Sequence, residues 1–577
     1  LLTDCPGFVG GPNGVFVSNI SLTDNGKDYY GTYINDDWKV TPKLTVNLGL
    51  RWDFFGLVGE HHENQANFVP GGPPTGQPMY IIPPGKNSGN LSASFINLLA
   101  KDGIQLAVTN KYGQGLGNSQ PKNFAPRLGV AYQVSPKLVV RAGFGLFYNG
   151  FENRGFSPNI GENYPFQFNF SFFNPDASHP INNFAGCATA TPAGGPTLET
   201  GFTCTPLDPV SPLFNASGLS LRGIQFDYKT PYSMGGNLTL QYQLTSSMSV
   251  QAGYVTSLAR HLESFPGTNN IKSIQPSSVK PETLVDFPDF GRNTSYAATE
   301  GSSYYHALQT KVEKQFAGGL NFLAAYTWSK TMSDAGDLLN GGSLRGYRAP
   351  GVPGLGIHFD YGVASFDVRN VFHFSGGYEL PFGKGKHFMS DASGFANAAV
   401  GGWSVIWSST LQGGQPITLG CPNGTAQGLG CGDLFTGQPL KLGLHNDSNL
   451  KLSWFGNPAA FTQPCVLGTG GPTGCVALTG PGALGGLTQV PGPGFHRLDF
   501  SVFKNFQLTE RFRLQFRTEV FNILNHPNFN APGFGGNGVV AISGSTDFTN
   551  SKFGEIGSTR DAPYDPRQIQ FALKLYY

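Results

Sequence analysis

Apolar and polar residues alternate with a period of two in widely separated windows of the chain. The clearest runs from Leu44 to Phe54, where Leu44, Val46, Leu48, Leu50, Trp52 and Phe54 interleave with Thr45, Asn47, Gly49, Arg51 and Asp53. Successive side chains of a strand point to opposite faces, so this window predicts a strand with one apolar and one polar face. The pattern recurs over 237–244, 248–254 and 320–328, and near the end Arg511, Arg513, Gln515, Arg517 and Glu519 alternate with Phe512, Leu514, Phe516, Thr518 and Val520. A soluble sandwich also alternates, its apolar face being the core. Length separates the two: these strands run to about 11–13 residues, enough to cross a tilted bilayer path, and sandwich strands are about half that.

The connections are asymmetric. Four pairs of strands are joined by similar tight turns, at 40–44, 134–138, 244–248 and 508–512, an internal hairpin repeat. The opposite connections are long and rich in Gly, Pro, Asn and Ser: 55–121, 149–230, 259–302, 331–364, 417–494 and 525–566. Short periplasmic turns and long outward loops are the outer-membrane barrel arrangement. Thirteen strands are expected, over 28–40, 44–56, 122–134, 138–148, 231–244, 248–258, 303–316, 319–330, 365–380, 400–416, 495–507, 510–524 and 567–577, with 417–494 able to hide another. Their parity returns the C-terminus to the periplasmic side. Single-chain bacterial barrels have even strand numbers, so the odd count and the start at Leu1 predict a fragment beginning inside the barrel.

Composition narrows the solvent. Only 13% of residues are charged, against about 25% in ordinary soluble proteins. No run approaches the ~20 apolar residues of a membrane helix. A lipid-facing chain without such helices has one other physical solution, a closed barrel whose backbone groups all pair between strands. With 37 basic and 36 acidic residues the charge balance points to no nucleic-acid partner. No metal, cofactor or catalytic motif stands out, and an enzyme is not indicated. Gly383-Lys384-Gly385-Lys386 lacks phosphate-loop spacing and reads as a basic periplasmic turn.

Several segments together resemble the barrel of TonB-dependent transporters of the Oar-like type. They are Tyr33 to Arg51 (YINDDWKVTPKLTVNLGLR), Asn123 to Gly129 (NFAPRLG), Tyr326 to Lys330 (YTWSK), Glu379 to Gly385 (ELPFGKG), Gly401-Gly402-Trp403 and Glu519 to His526 (EVFNILNH). The resemblance covers residue 28 to the end, with 1–27 as a loop leading into the barrel. It implies an all-β, antiparallel transmembrane barrel, about 13 strands of a probable 22. Such proteins carry a carboxypeptidase-regulatory-like sandwich, a plug and an energy-coupling box upstream, none recognisable here. The implied function is energy-coupled passage of an unidentified solute across the outer membrane. The implied partners are outer-membrane lipid, the TonB complex through the absent N-terminal part, the barrel-assembly machinery and the solute, with no cofactor. The alternatives are a surface barrel for adhesion or envelope integrity, and a soluble secreted β-protein whose alternating face is core.

Candidate residues follow from this frame. Ile569, Phe571, Leu573, Leu575 and Tyr577 form one face of a last strand ending on an aromatic, and resemble a barrel-assembly signal. Arg51, Arg141, Lys311, Glu313, Arg369, Arg497, Asp499, Arg513, Arg517 and Glu519 are candidate lumenal wall residues, most of them expected to be solvated or salt-bridged. Trp38, Trp52, Tyr148, Tyr326, Trp328 and Trp403 lie toward strand ends, where interfacial girdles sit. Six of seven cysteines form close pairs within outward loops, Cys187 with Cys204, Cys421 with Cys431 and Cys465 with Cys475. An oxidising compartment favours disulfides there, other pairings among the last four remain open, and Cys5 is left over.

Overall fold

In the computed structural model, the alternating segments become one antiparallel sheet in which every strand is hydrogen-bonded to the next in sequence. The structure describes residues 14–19, 24–85, 88–150, 160–173, 219–266, 269, 281–291, 296–335, 361–419, 434–435, 438–446, 451–462, 489–533, 551–560 and 566–577. The wall strands are β1 (Tyr29–Thr41), β2 (Leu44–Phe55), β3 (Asn123–Ser135), β4 (Leu138–Tyr148), β5 (Tyr232–Thr245), β6 (Met248–Ser264) and β7 (Tyr296–Ala317). They continue through β8 (Leu320–Ser333), β9 (Asn370–Glu379), β10 (Trp403–Gln412), β11 (Phe495–Gln507), β12 (Arg513–Phe521) and β13 (Gln568–Tyr576). All thirteen expected strands are present, in an up-and-down meander. The sheet is open: β1 and β13 do not pair with each other.

The repeated short turn has a local cause. In each copy a hydroxyl accepts a backbone N–H two residues on: Thr41 from Lys43 (3.2 Å), Ser135 from Lys137 (3.3 Å), Thr245 from Ser247 (3.3 Å) and Thr509 from Arg511 (3.3 Å). Such side-chain bonds satisfy turn donors that the ladder leaves unpaired. The β7–β8 turn uses Gly318 and Gly319, both at positive φ (63° and 82°), where a side chain would strain the backbone.

Several boundaries differ from the sequence expectation by three residues or more, and the largest differences are at the β6–β7 hairpin, the start of β9 and the end of β10. β7 begins at Tyr296, not 303, because the β6–β7 hairpin continues past bulges near Leu262 into the loop region, where Ala297, Ala298 and Ser264 are buried. Burial on both faces removes the alternation that marks a strand. β9 begins at Asn370, not 365, because the Asp367 carboxylate takes the Thr331 N–H (2.6 Å), where a strand carbonyl would otherwise pair. β10 ends at Gln412, and Pro416–Thr418 pairs with Gln489–Pro491 outside the wall. The strands found inside 417–494, such as Leu442–Asn446 and Leu452–Phe455, likewise belong to loops and not to the wall.

The wall's residues are largely exposed, and the buried core lies in the long connections. One cluster gathers Phe68, Tyr80, Phe95, Leu99, Tyr164, Leu221, Phe287 and Phe290 from four separate segments. Helix α1 (Ala93–Lys101) supplies Phe95 and Leu99, four apart on one face; its N-cap Ser92 accepts the Phe95 N–H at 3.1 Å. A second cluster joins Ile417, Phe455, Phe461, Val490 and Phe553.

Candidate functional site

The strand register carries one face across the whole sheet. On the apolar side Leu48 opposes Leu128, which opposes Phe144; Leu238 opposes Tyr254, then Leu308, then Trp328. The same face continues through Phe374, Trp407, Phe500, Val520 and Ile569. Ile569, Phe571, Leu573 and Leu575 are all more than half exposed on it, and Tyr577 extends their alternation beyond β13. An exposed apolar surface of this extent does not face water in a monomeric protein. The six aromatics singled out above share it: Trp38 and Trp403 near the short turns, Trp52, Tyr148, Tyr326 and Trp328 toward the long connections. Two of their polar atoms find partners on neighbouring residues, Trp52 Nε1 donating to Pro121 O (2.7 Å) and Tyr326 OH to Asn370 Oδ1 (2.7 Å).

The opposite face brings the candidate charges together. Arg51, Arg141, Lys311, Glu313, Arg497, Asp499, Arg513, Arg517 and Glu519 all point to it by register. Arg369 lies one residue before β9, its carbonyl accepting the Ser329 N–H at 2.9 Å. Most cations have a carboxylate two residues on along the same strand: Arg51 with Asp53 (2.9 Å), Lys311 with Glu313 (3.0 Å), Arg497 with Asp499 (3.1 Å) and Arg517 with Glu519 (3.2 Å). Spacing of two is the strand's own same-face repeat, so each pair is built by local geometry. Arg141 donates to Gln241 (2.6 Å), and Arg513 and Arg517 lie over the Tyr576 and Phe503 rings at 4.6 and 4.3 Å. Between the charges the wall is small and amide-rich: Gly129 and Gly143 oppose Asn47 and Asn237. Toward the short turns, Arg141, Gln241, Gln243, Glu313 and Gln315 line a shallow depression of about 360 Å³.

Apart from Asp53, which is buried, the members of these ion pairs are partly exposed, so the pairs tune the face more than they hold it. Glu519→Gln is expected to change unfolding free energy by about 1 kcal/mol or less. Its partner Arg517 keeps the Phe503 ring. Denaturant titration of the variant in vesicles measures this.

The loop assembly above the sheet was not legible as a site. Three buried asparagines tie it together. Asn67 accepts the Ile224 N–H (2.8 Å) and donates to Leu116 O and Ile224 O (3.1 and 3.0 Å). Asn163 accepts from Arg222 N (2.8 Å) and donates to Ala66 O and Arg222 O, and Asn269 accepts from Phe287 N (3.0 Å) and donates to its carbonyl (2.7 Å). Each amide replaces a missing backbone ladder between distant segments. Burial pushes the Tyr80 hydroxyl well above its ordinary pKa, with nearby Tyr164 adding to it, and burial pushes Tyr228 up, helped by the Glu263 carboxylate it donates to at 2.5 Å. A folded-state pKa raised above the unfolded value gives stability that is complete below about pH 10 and lost as pH rises beyond it. Ultraviolet titration of tyrosinate is expected to show these tyrosines ionising last, together with loop opening. The predicted disulfides at Cys187, Cys204, Cys421, Cys431, Cys465 and Cys475, like Cys5, lie outside the described residues. Among the described residues no cluster of His, Cys, Asp and Glu is arranged to hold a metal ion.

The family described as outer membrane beta barrel domain matches residues 8–570. The chain belongs to that family. The exposed apolar face of the sheet is thereby explained by location in the outer membrane. No helix of the described residues is long and apolar enough to cross a membrane, which bears only on helical spans. Among solved structures, the ferripyoverdine receptor of the Pseudomonas aeruginosa outer membrane bound to ferripyoverdine is similar at 10% identity and TM-score 0.40, covering 96% of this chain and 39% of that one. The ferric-catecholate import receptor Fiu of E. coli K12 gives 10% and 0.36, covering 96% and 45%. The FrpB iron transporter of Neisseria meningitidis gives 12% and 0.38, covering 96% and 46%. The chain spans less than half the length of these structures. No curated protein matches it.

Proposed function

We propose that this chain forms the wall of a TonB-dependent transporter of the Oar-like type, which passes a solute across the outer membrane. The observation that supports it most is the continuous polar face, carrying paired charges and amides across thirteen strands. Small eight-stranded barrels fill their interiors with side chains, whereas wider walls enclose an aqueous or plugged lumen. On this reading the polar face lines the lumen, and Arg51, Arg141, Lys311, Glu313, Arg369, Arg497, Asp499, Arg513, Arg517 and Glu519 are wall residues against which solute or plug slides. The aromatic rows hold the barrel's level in the bilayer. The described parts of the outer loops, clipped by Asn67, Asn163 and Asn269, present an ordered capture surface, which loses less entropy on binding than an unclipped one. Energy coupling through TonB, assembly by the barrel machinery at the Ile569-to-Tyr577 face, and loop disulfides at the cysteine pairs belong to the same proposal.

The test is uptake. Deleting the gene in its host should abolish energy-dependent accumulation of one class among labelled oligosaccharides, peptides and metal chelates, and collapsing the proton-motive force should do the same in wild-type cells. Accumulation of every class unchanged by deletion would contradict a transport role and leave a surface barrel without transport.

A further inference from the structure

The connection between β9 and β10 departs from the other short-turn links. It runs from Leu380 to Gly402 and contains a short helix, α2 (Gly394–Val400), with no buried residue. Its fold is nevertheless fixed. Phe388 N donates to Pro381 O (2.9 Å), Gly383 N to Phe388 O (3.0 Å) and Lys384 N to the Asn397 side chain (2.7 Å). Gly383, at φ +110°, sits so close to Gly401 that a Cβ would meet its Cα at 2.6 Å.

This segment is ordered by these bonds, yet its large apolar groups stay widely exposed. Phe395 is 89% exposed, Met389 53%, Phe388 49% and Phe382 40%. Phe382 and Phe388 stack at 5.4 Å, His387 meets Phe388 edge-on at 4.7 Å, and Lys386 pairs with Glu379 at 3.3 Å.

Two contacts say on which side of the wall the helix lies. Trp403 and Lys504 are register partners on the apolar face. Trp403 Nε1 donates to Ala399 O (2.9 Å), and Lys504 Nζ donates to Ala399 O (3.1 Å) and Gly401 O, at the carbonyl end of α2. The ammonium also lies over the Trp403 and Phe506 rings at 5.0 and 5.3 Å. A cation at a helix C-terminus is favourable, and here it draws the helix against the outward surface of the barrel. The exposed aromatics of the connection therefore continue the apolar face at its periplasmic edge.

We propose that the β9–β10 connection is an interfacial anchor in the periplasmic leaflet, with Phe395, Met389 and the Phe382–Phe388 pair inserted among phospholipid acyl chains and Lys384 and Lys386 at the phosphate level. Exposed aromatic groups with lysines close by in sequence suit a segment lying in the membrane plane. Residues facing only periplasmic water would leave Phe395 and Met389, and the outer half of the Phe382–Phe388 stack, hydrated. The anchor rests on the outer-membrane location of the wall and is independent of what the barrel transports.

The test places p-benzoylphenylalanine at Phe395 of the parent protein in isolated outer membranes, with the same group at Leu573, on the middle of the apolar face, as reference. Irradiation should attach phospholipid at both positions, read as a phospholipid mass shift. Lipid attachment at 573 with only protein attachment, or none, at 395 would overturn the anchor and leave the wall intact. Failure at both positions would overturn the membrane wall and the anchor with it.

Discussion

Leu238→Arg is expected to cost about 2–4 kcal/mol of unfolding free energy in lipid vesicles, the scale for a cation on the lipid face near a bilayer midplane. Its neighbour in sequence, Asn237→Arg, is expected to cost less than about 1 kcal/mol, since lumenal substitutions tune a barrel without desolvating a charge. The two residues share a height and a strand, and differ only in face. Leu238 lies between Ala142 and Tyr254 and is half exposed, whereas Asn237 lies between Gly143 and Val255 on the polar side. Reversible denaturant unfolding in vesicles measures both. Equal costs would mean that the two faces see the same solvent.

Phe95→Ala is the second large effect, at about 3–5 kcal/mol for removal of a fully buried aromatic. Phe95 is completely buried and packs on Tyr80 (5.1 Å), Tyr164 (4.6 Å) and Phe290 (6.0 Å), so one truncation loosens segments brought from three connections. The loss should be local. Hydrogen exchange is expected to rise in 66–108 and 160–166 while β3 to β6 keep their protection, because the wall's backbone pairs do not involve this cluster. A barrel that unfolds with the loops would show that wall and loops form one cooperative unit.

The wall was legible because its two faces meet different solvents, so each strand writes its own alternation into the sequence. Leu44 to Phe54 and Gln568 to Tyr576 read correctly from that pattern alone. The turns were legible because each repeats the same hydroxyl at the same offset. Nine of the ten candidate charges share one face by register, and the pairing of four of them with a carboxylate two residues on was not specified by the sequence. The loop assembly was not legible. Residues buried from both sides lose periodicity, as at Ala297 to Thr299, and Asn67, Asn163 and Asn269 look like ordinary polar loop residues until their amides are seen bridging distant segments. A signal for α1 was present in Ser92 with Phe95 and Leu99, a cap followed by apolar residues at helical spacing. Helix α2 gave no signal, since Gly, Ala and Asn dominate it and its apolar residue faces away from the protein.

The most direct test of the central claim is migration of the parent protein from isolated outer membranes on a detergent gel, with and without heating, after protease treatment of the membranes. The account predicts that this region resists digestion and shifts on heating, as a folded hydrogen-bonded barrel does. A region fully cleaved in membranes, released without detergent and migrating identically before and after heating would contradict it.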